Sequence, residues 1–355
     1  MRRILQIIII SVGISPGLIA SLAYGQKPYR AGTTGATFLE IGYGSAGIAM
    51  GDAYVSMARD ISSVYWNPAG LGYMTKSEFQ AMYQPWLADI GTSFVGLGYV
   101  NEQIGTFGLS VLYTGYGEEE VTSVLMEEGT GEKFDGLDFS ASLSYGRRLA
   151  QWFSFGASGK YVSSRIWHEN ASAVALDLGA VVNTSFLSWT GDPDGGLTIG
   201  MSISNYGTRL KYDGIDLKRL VDEDPNAGGN YEFIPSRFET DDWELPLIFR
   251  IGVSTHPILT SRHRLTVALD ALHPNNNSEY LNAGGEYAMT IPALGELALR
   301  GGYKGLSMVD AQYGWTFGFG LMLHYLHNRA FKVDYAYRDI GLLGKMHAYT
   351  LGLTF

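Results

Sequence analysis

The stretch HAYTLGLTF, residues 347–355, alternates without a break. Tyr349, Leu351, Leu353 and Phe355 share one face of an extended chain; Ala348, Thr350, Gly352 and Thr354 share the other. A period of two over this length marks a β-strand. The pattern recurs upstream. In residues 312–323, Tyr313, Trp315, Phe317, Phe319, Leu321 and Leu323 oppose Gln312, Gly314, Thr316, Gly318 and Gly320. In residues 137–146, Leu137, Phe139, Ala141, Leu143 and Tyr145 oppose Asp138, Ser140, Ser142, Ser144 and Gly146. A soluble barrel with its apolar face inward and a membrane barrel with its apolar face outward both write this alternation.

The start of the chain decides between them. Arg2 and Arg3 precede an apolar stretch over residues 4–10 that continues at Val12 and Ile14, and Ala23-Tyr24-Gly25 offers small residues for cleavage. This is the secretory pattern, and the apolar stretch is too short for a good spanning helix. Residues 1–25 are therefore expected to be a signal peptide. After residue 25 no apolar run approaches the ~20 residues a spanning helix needs. Only helices and closed barrels satisfy every backbone hydrogen bond in lipid. An exported chain whose last strand ends on Phe355 resembles the bacterial outer-membrane β-barrels, with Phe355 as the expected assembly signal. The expected setting is the outer membrane of a diderm bacterium, among its lipid and lipopolysaccharide.

Composition agrees. Glycine supplies 46 of 355 residues and tyrosine 23, which suits small lumen-facing positions and aromatic girdles. There is no cysteine, so disulfides, thiolate metal sites and cysteine nucleophiles are excluded. The net charge of −10 disfavours nucleic acid, which needs a basic face.

From Glu78 onward fourteen strand candidates are separated by turn chemistry: 77–87, 91–100, 104–115, 135–148, 152–167, 171–185, 196–206, 246–256, 263–272, 279–290, 294–304, 312–324, 329–338 and 346–355. Connections after even strands are short, except one carrying Asp192-Pro193-Asp194-Gly195. Two after odd strands are long, 116–134 and 207–245, as for short periplasmic turns and long external loops. Each long connection has a net charge of −5: six acids against Lys133 in the first, ten acids against five bases in the second. Such charge solvates a loop, or presents a partner-docking or cation-bridged surface. The second loop also carries Leu210, Tyr212, Ile215, Leu217, Leu220, Tyr231, Phe233, Ile234 and Trp243, which marks it for partner contact or for folding back over the barrel mouth. By alternation the lumen face carries Lys160, Asp177, Arg250, Asp270, Arg300, Lys332 and Asp334. Lys160 with Asp177, and Arg250 with Asp270, fall on neighbouring strands. Charge there needs pairing or water, as a structural network or as a proton or substrate path.

Residues 26–76 show no alternation. Gly and Ala dominate GYGSAGIAMG at 42–51, and WNPAGL follows at 66–71. Small residues permit close backbone approach; Pro68 fixes its own φ and pushes Asn67 to an extended conformation. Such a segment ahead of a barrel is suited to plug it. FLEIG at 38–42, GIAMGDA at 47–53 and VYWNPAGL at 64–71 resemble the PorV/PorQ family within the FadL-like outer-membrane barrels. Weaker similarity runs through PWL at 85–87, RGGY at 300–303 and VDYA at 333–336. The resemblance implies an all-β, 14-stranded antiparallel transmembrane β-barrel over 77–355 with an N-terminal hatch over 26–76 in its lumen. Its hatch motif falls on Gly51, Asp52, Trp66, Asn67, Pro68, Ala69 and Gly70. It also implies a function. PorV-like members serve type IX secretion, binding secreted cargo as it leaves the translocon and handing it to the surface attachment complex. The alternative is a FadL-like passive channel for long-chain fatty acids or other hydrophobic small molecules.

Catalysis is not expected. Seven histidines are scattered without an HExxH helix, and no G-x-S-x-G elbow occurs after residue 25. The glycine pair around Phe319 lies in a strand, where no phosphate loop forms, and 192–195 lacks the spacing of a calcium loop. The expected protein has no catalytic residue, metal or cofactor.

Overall fold

The computed structural model describes residues 30–86, 90–188, 191–222, 234–308, 311–326 and 329–355. The expected signal peptide lies outside the described residues, as do Leu87, Tyr231 and Phe233 of the readings above. The first half of the ring is β1 (Glu78–Pro85), β2 (Gly91–Asn101), β3 (Gly105–Glu120), β4 (Lys133–Ala150), β5 (Phe153–Ile166), β6 (Glu169–Asn183) and β7 (Thr198–Gly207). Five short strands follow outside the ring wall: β8 (Leu210–Lys211), β9 (Asp213–Gly214), β10 (Lys218–Val221), β11 (Ile234–Arg237) and β12 (Asp242–Trp243). The second half is β13 (Ile248–Leu259), β14 (His263–Pro274), β15 (Tyr280–Ile291), β16 (Gly295–Leu306), β17 (Trp315–Leu326), β18 (Arg329–Asp339) and β19 (Lys345–Thr354).

The wall is antiparallel throughout. β7 pairs with β13, and β1 closes on β19 with Glu78 opposite Thr354 and Tyr83 opposite Tyr349. This is the expected fourteen-stranded barrel. Its faces are inverted relative to a soluble protein. Trp315, Phe317, Phe319, Tyr349 and Leu351 stand outward and exposed, while Gln80, Thr92, Ser140, Ser158, Thr266 and Thr350 are buried inside. That is the arrangement lipid demands. Phe355 continues the outward row, and its N–H donates to the Ser77 carbonyl at 2.9 Å. Tyr313 departs from the expected outward row. β17 begins only at Trp315, and Tyr313 packs against the interior with the Lys304 ammonium 4.2 Å from its ring centroid.

The two long connections are more ordered than their composition implied. β3 and β4 run on past the wall, with Glu118, Glu119 and Glu120 opposite Asp135, Phe134 and Lys133 beyond an irregularity after Gly115. At 16 and 18 residues these strands exceed the ~9–11 needed to cross a bilayer. The described residues of connection 207–245 form small pairings, β8 with β12 and β10 with β11, while β9 extends β6. Its apolar residues divide. Leu210 is fully buried beside Gly35, whereas Ile215 and Leu220 stand in solvent.

The buried apolar cluster lies within the ring and is built mainly from residues 36–74. This segment has short helical turns at Thr37–Glu40, Ser45–Ala49, Ser63–Trp66 and Pro68–Tyr73. Tyr43, Tyr54, Tyr65 and Trp66 meet edge to face, with centroids 4.8 Å apart for Tyr65 and Trp66, a geometry the ring quadrupoles favour.

Phe317 sits at mid-strand on the outer face, where a charge meets hydrocarbon. Phe317→Arg is expected to cost about 2–4 kcal/mol in urea unfolding of the refolded barrel in lipid. An unchanged midpoint would place this face out of the bilayer.

Candidate functional site

Residues 36–74 touch the inner wall on all sides. The Ser45 N–H donates to Thr350 Oγ1 on β19 at 3.1 Å, and the Val55 N–H to Asp270 Oδ2 on β14 at 2.9 Å. Thr316 on β17 donates its hydroxyl to the Ala49 carbonyl at 2.9 Å, Ser202 on β7 to that of Trp66 at 3.1 Å, and Ser154 on β5 to that of Ala69 at 2.7 Å. The wall's small hydroxyl residues thus satisfy carbonyls that the segment's short turns leave open.

The structure brings the hatch-motif residues into two docking points. Asn67 is extended, with φ −165°, as Pro68 requires. Its Oδ1 accepts from the Ala69 N–H at 3.1 Å and caps the turn Pro68–Tyr73; its Nδ2 donates to the Val55 and Ala180 carbonyls at 2.9 and 3.1 Å. Gly179 on β6 faces it, and a β-carbon there would fall on the Asn67 amide. Gly70 closes against the Ala58 carbonyl in the same turn. The second point is Gly51-Asp52. Both residues are left-handed, at φ +67° and +64°, and Gly51 lies against the Tyr303 backbone. This turn aims the Asp52 carboxylate at two wall cations: Arg338 on β18, and Lys304 on β16 at 2.8 Å. All three side chains are buried.

The predicted lumen charges fall into three groups. Lys160 and Asp177 pair directly at 2.5 Å, with Asn205 2.9 Å from the same ammonium. Arg250 and Asp270 lie on neighbouring strands, as expected, but do not pair with each other. The ladder sets Arg250 opposite Leu272 and Asp270 opposite Gly252. Arg250 instead donates to Ser204 at 2.9 Å and lies over the Tyr65 ring, while Asp270 is taken by the Val55 backbone. Arg300, Lys332 and Asp334 belong to a larger network. Arg300 bridges Glu286 at 2.8 Å and Asp334 at 2.5 Å; Lys332 reaches Glu78 at 2.7 Å and Asp60 at 3.7 Å.

That network walls a 540 Å³ cavity toward the end with the short turns. Exposure falls inward along it, from 39% for the Arg264 side chain at the mouth to 7% for Glu286. Sequence reasoning missed Glu286, Arg264, Glu78 and Arg338. Glu286 was recoverable by aligning two predicted strands, since it stands opposite Arg300 in the ladder. Arg59 and Asp60 belong to the segment without periodicity and carried no signal. Among the described residues no group of three His, Asp or Glu side chains is placed to hold a metal ion.

A closed antiparallel ring of fourteen strands with an outward apolar face and a filled polar lumen defines the class: a transmembrane-type β-barrel. The toluene transporter TodX of Pseudomonas putida aligns with a TM-score of 0.54 at 11% identity, over 88% of this chain and 97% of its own. A FadL homologue of Pseudomonas aeruginosa gives 0.51 at 11%, over 93% and 99%. The toluene transporter TbuX of Ralstonia pickettii gives 0.53 at 10%, over 88% and 97%. At these identities the likeness is one of fold. No curated protein matches the chain in sequence. The family described as type IX secretion system protein PorV matches residues 24–267, more than half of the chain. The chain belongs to that family.

Removing Asp52 strands two buried cations, and breaking a buried pair on one side costs about 3–5 kcal/mol. Asp52→Ala is expected to lower stability by that amount in urea titrations and to open residues 36–74 to added protease. Wild-type protection in the variant would show that the ion pairs do not hold the segment.

Proposed function

We propose that this barrel is a non-enzymatic component of type IX secretion in the outer membrane of a diderm bacterium. It binds secreted proteins at its long-loop end, between the translocon and the surface attachment complex, and residues 26–76 act as a hatch that keeps its lumen shut. The observation that carries this reading is the state of the lumen. Residues 36–74 fill it, and the large cavity that remains is walled by charged side chains. A path for fatty acids or aromatic hydrocarbons needs an apolar lining with few polar groups; this cavity is the opposite.

The long-loop end supports the reading. Val124 and Leu125 are more than 90% exposed at the tip of the β3–β4 hairpin, as is Leu342 on the β18–β19 connection. Leu220 and Phe238 are exposed on or beside the β10–β11 hairpin. Apolar side chains held in water among acids, on ordered hairpins, mark a protein-binding surface.

Replacing residues 218–237 by a Gly-Ser linker of equal span is expected to abolish co-purification of secretion partners from the native membrane while barrel assembly stays normal. If partners persist and only uptake of a hydrophobic solute changes, the channel reading replaces this one. The hatch role has its own test. Deleting residues 36–71 is expected to raise single-channel conductance in planar bilayers severalfold, and unchanged conductance through a correctly assembled barrel would refute it.

A further inference from the structure

The chain runs lengthwise through its own ring. Residues 36–74 leave the lumen at the short-turn end. A β-carbon on Gly72 would fall on the backbone joining Arg147 to Arg148, next to the β4–β5 turn, and the Ser77 carbonyl accepts from the Phe355 N–H just before β1 begins. At the other end the same segment rises among the long connections. Ala36 is buried, whereas residues 30–33 stand exposed. The chain therefore enters its barrel from the long-loop side.

The entry is clasped from two sides. On connection 207–245, the Glu244 carbonyl accepts from the Gly35 N–H at 3.0 Å, and Thr34 bridges Glu244 in parallel. Leu210 and Trp243, on β8 and β12, close over Gly35, where an added β-carbon would come within 2.9 Å of the Leu210 side chain. On the β14–β15 connection, the Asn276 amide donates to Thr34 Oγ1 at 2.9 Å and to the Glu40 carboxylate at 3.0 Å. Arg30 lies 3.8 Å from the Glu244 carboxylate. That pair is exposed and adds little by itself; the backbone bond and the packing on Leu210 fix the position. Charge favours the same end. Between the expected cleavage point and Gly35 the charged residues are Lys27 and Arg30, and the connection that meets them is acidic.

We propose that residues 30–35 are a strap built into the partner-facing rim, held by connection 207–245, and that the amino-terminal arm of the exported protein is displayed at the cell surface beside β12. The end of the barrel at which the strap lies follows from its contacts; that this end faces outward rests on the secretion reading above. A secretion partner that docks on 207–245 then meets the strap as part of one surface, because Thr34 and Gly35 are paired with that connection. Residues 36–74 fill the ring, so the strap has to be in place when β1 meets β19.

The chain has no cysteine, so introduced ones report alone. The full-length barrel carrying Thr34→Cys and Glu244→Cys is oxidised in detergent; paired strands lie ~4.7–4.9 Å apart, within the reach of a disulfide. Most of the assembled barrel is expected to cross-link, and at least tenfold more than the pair Thr34→Cys and Gln151→Cys, which would have to span the ring. No cross-link between 34 and 244 in the assembled barrel overturns the strap. The side is read in a diderm host without type IX partners, using a membrane-impermeant maleimide. Ala31→Cys is expected to label on intact cells as Leu125→Cys does at the β3–β4 tip, whereas Gln151→Cys at the β4–β5 turn should label at least tenfold more once the outer membrane is opened. Labelling at 31 that follows 151 overturns the proposal, and this readout decides alone if the double variant fails to assemble. Labelling at 31 that follows 125, with both reached only after opening, upholds the strap and overturns its display outside together with the secretion reading.

Discussion

Hydrocarbon offers a backbone N–H or C=O nothing to bond with, and this forces the ring to close. The pairing of β1 with β19 removes the last open edge. Much else follows. Once the outer face is apolar, the period of two sends every alternate side chain into a lumen too wide for those side chains to fill. The interior then has to take up water or protein. Here it takes up protein, and the fit depends on what the wall presents. Single hydroxyls on β5, β7 and β17 reach carbonyls of residues 36–74. Glycines such as Gly179 and Gly302 let its backbone come to the wall without a β-carbon between. The glycine excess in the composition is therefore the imprint of an inner surface made to be covered.

Charge is distributed by the same logic. Taking ions out of water is costly, and a buried pair returns that cost only with good geometry and further hydrogen bonds. The buried Asp52 has two cations, and Asp177 has Lys160 with Asn205 alongside. Such pairs are poor sources of net stability but good sources of position: displacing residues 36–74 would leave Asp52 and its two wall cations alone, and Lys160 with Asp177 fixes β5 against β6. The Asp52 contacts tie residues 36–74 toward the long-loop end. Toward the other end the packing opens, Arg264 and Glu296 are partly exposed, and the cavity lies where residues 36–74 cease to fill the ring.

How much of this was legible in the sequence follows from periodicity. The strands, their number and their faces were readable because the pleat repeats every two residues and lipid makes the outward set apolar. The Lys160–Asp177 pair was readable because two clean alternations lie side by side. The Arg250–Asp270 pair was not, because parity gives the face and not the register, and the Val55 backbone competes for Asp270. Tyr313 fits the parity of its neighbours, but β17 starts two residues later, and outside a strand parity has no meaning. The hairpins of 207–245 are two to four residues long, too short to write a pattern. The motif at 47–53 and 64–71 was visible as composition, whereas what Asp52 touches depends on residues more than two hundred positions away.

The two ends of the barrel therefore cannot share one task. A ring filled across its width passes nothing bulky, so whatever the long-loop end meets must be handled at the rim. Exposed leucines on ordered hairpins are suited to that, because rigid apolar tips lose little conformational entropy when covered. The short-turn end also exposes Leu149 and Leu294 on or beside its turns, but it differs in one respect. It has a recess walled by ion pairs in which Arg264, Arg300 and Lys332 each serve two carboxylates. Both ends are linked by residues 36–74, on which Asp52 and Arg59 lie seven residues apart, and by wall strands such as β16, which carries Lys304 beside Asp52 and Arg300 on the cavity. Residues 36–74, held by the Asp52 ion pairs near one end and bordering the cavity at Arg59 near the other, have the contiguous contacts that coupling between the ends would require.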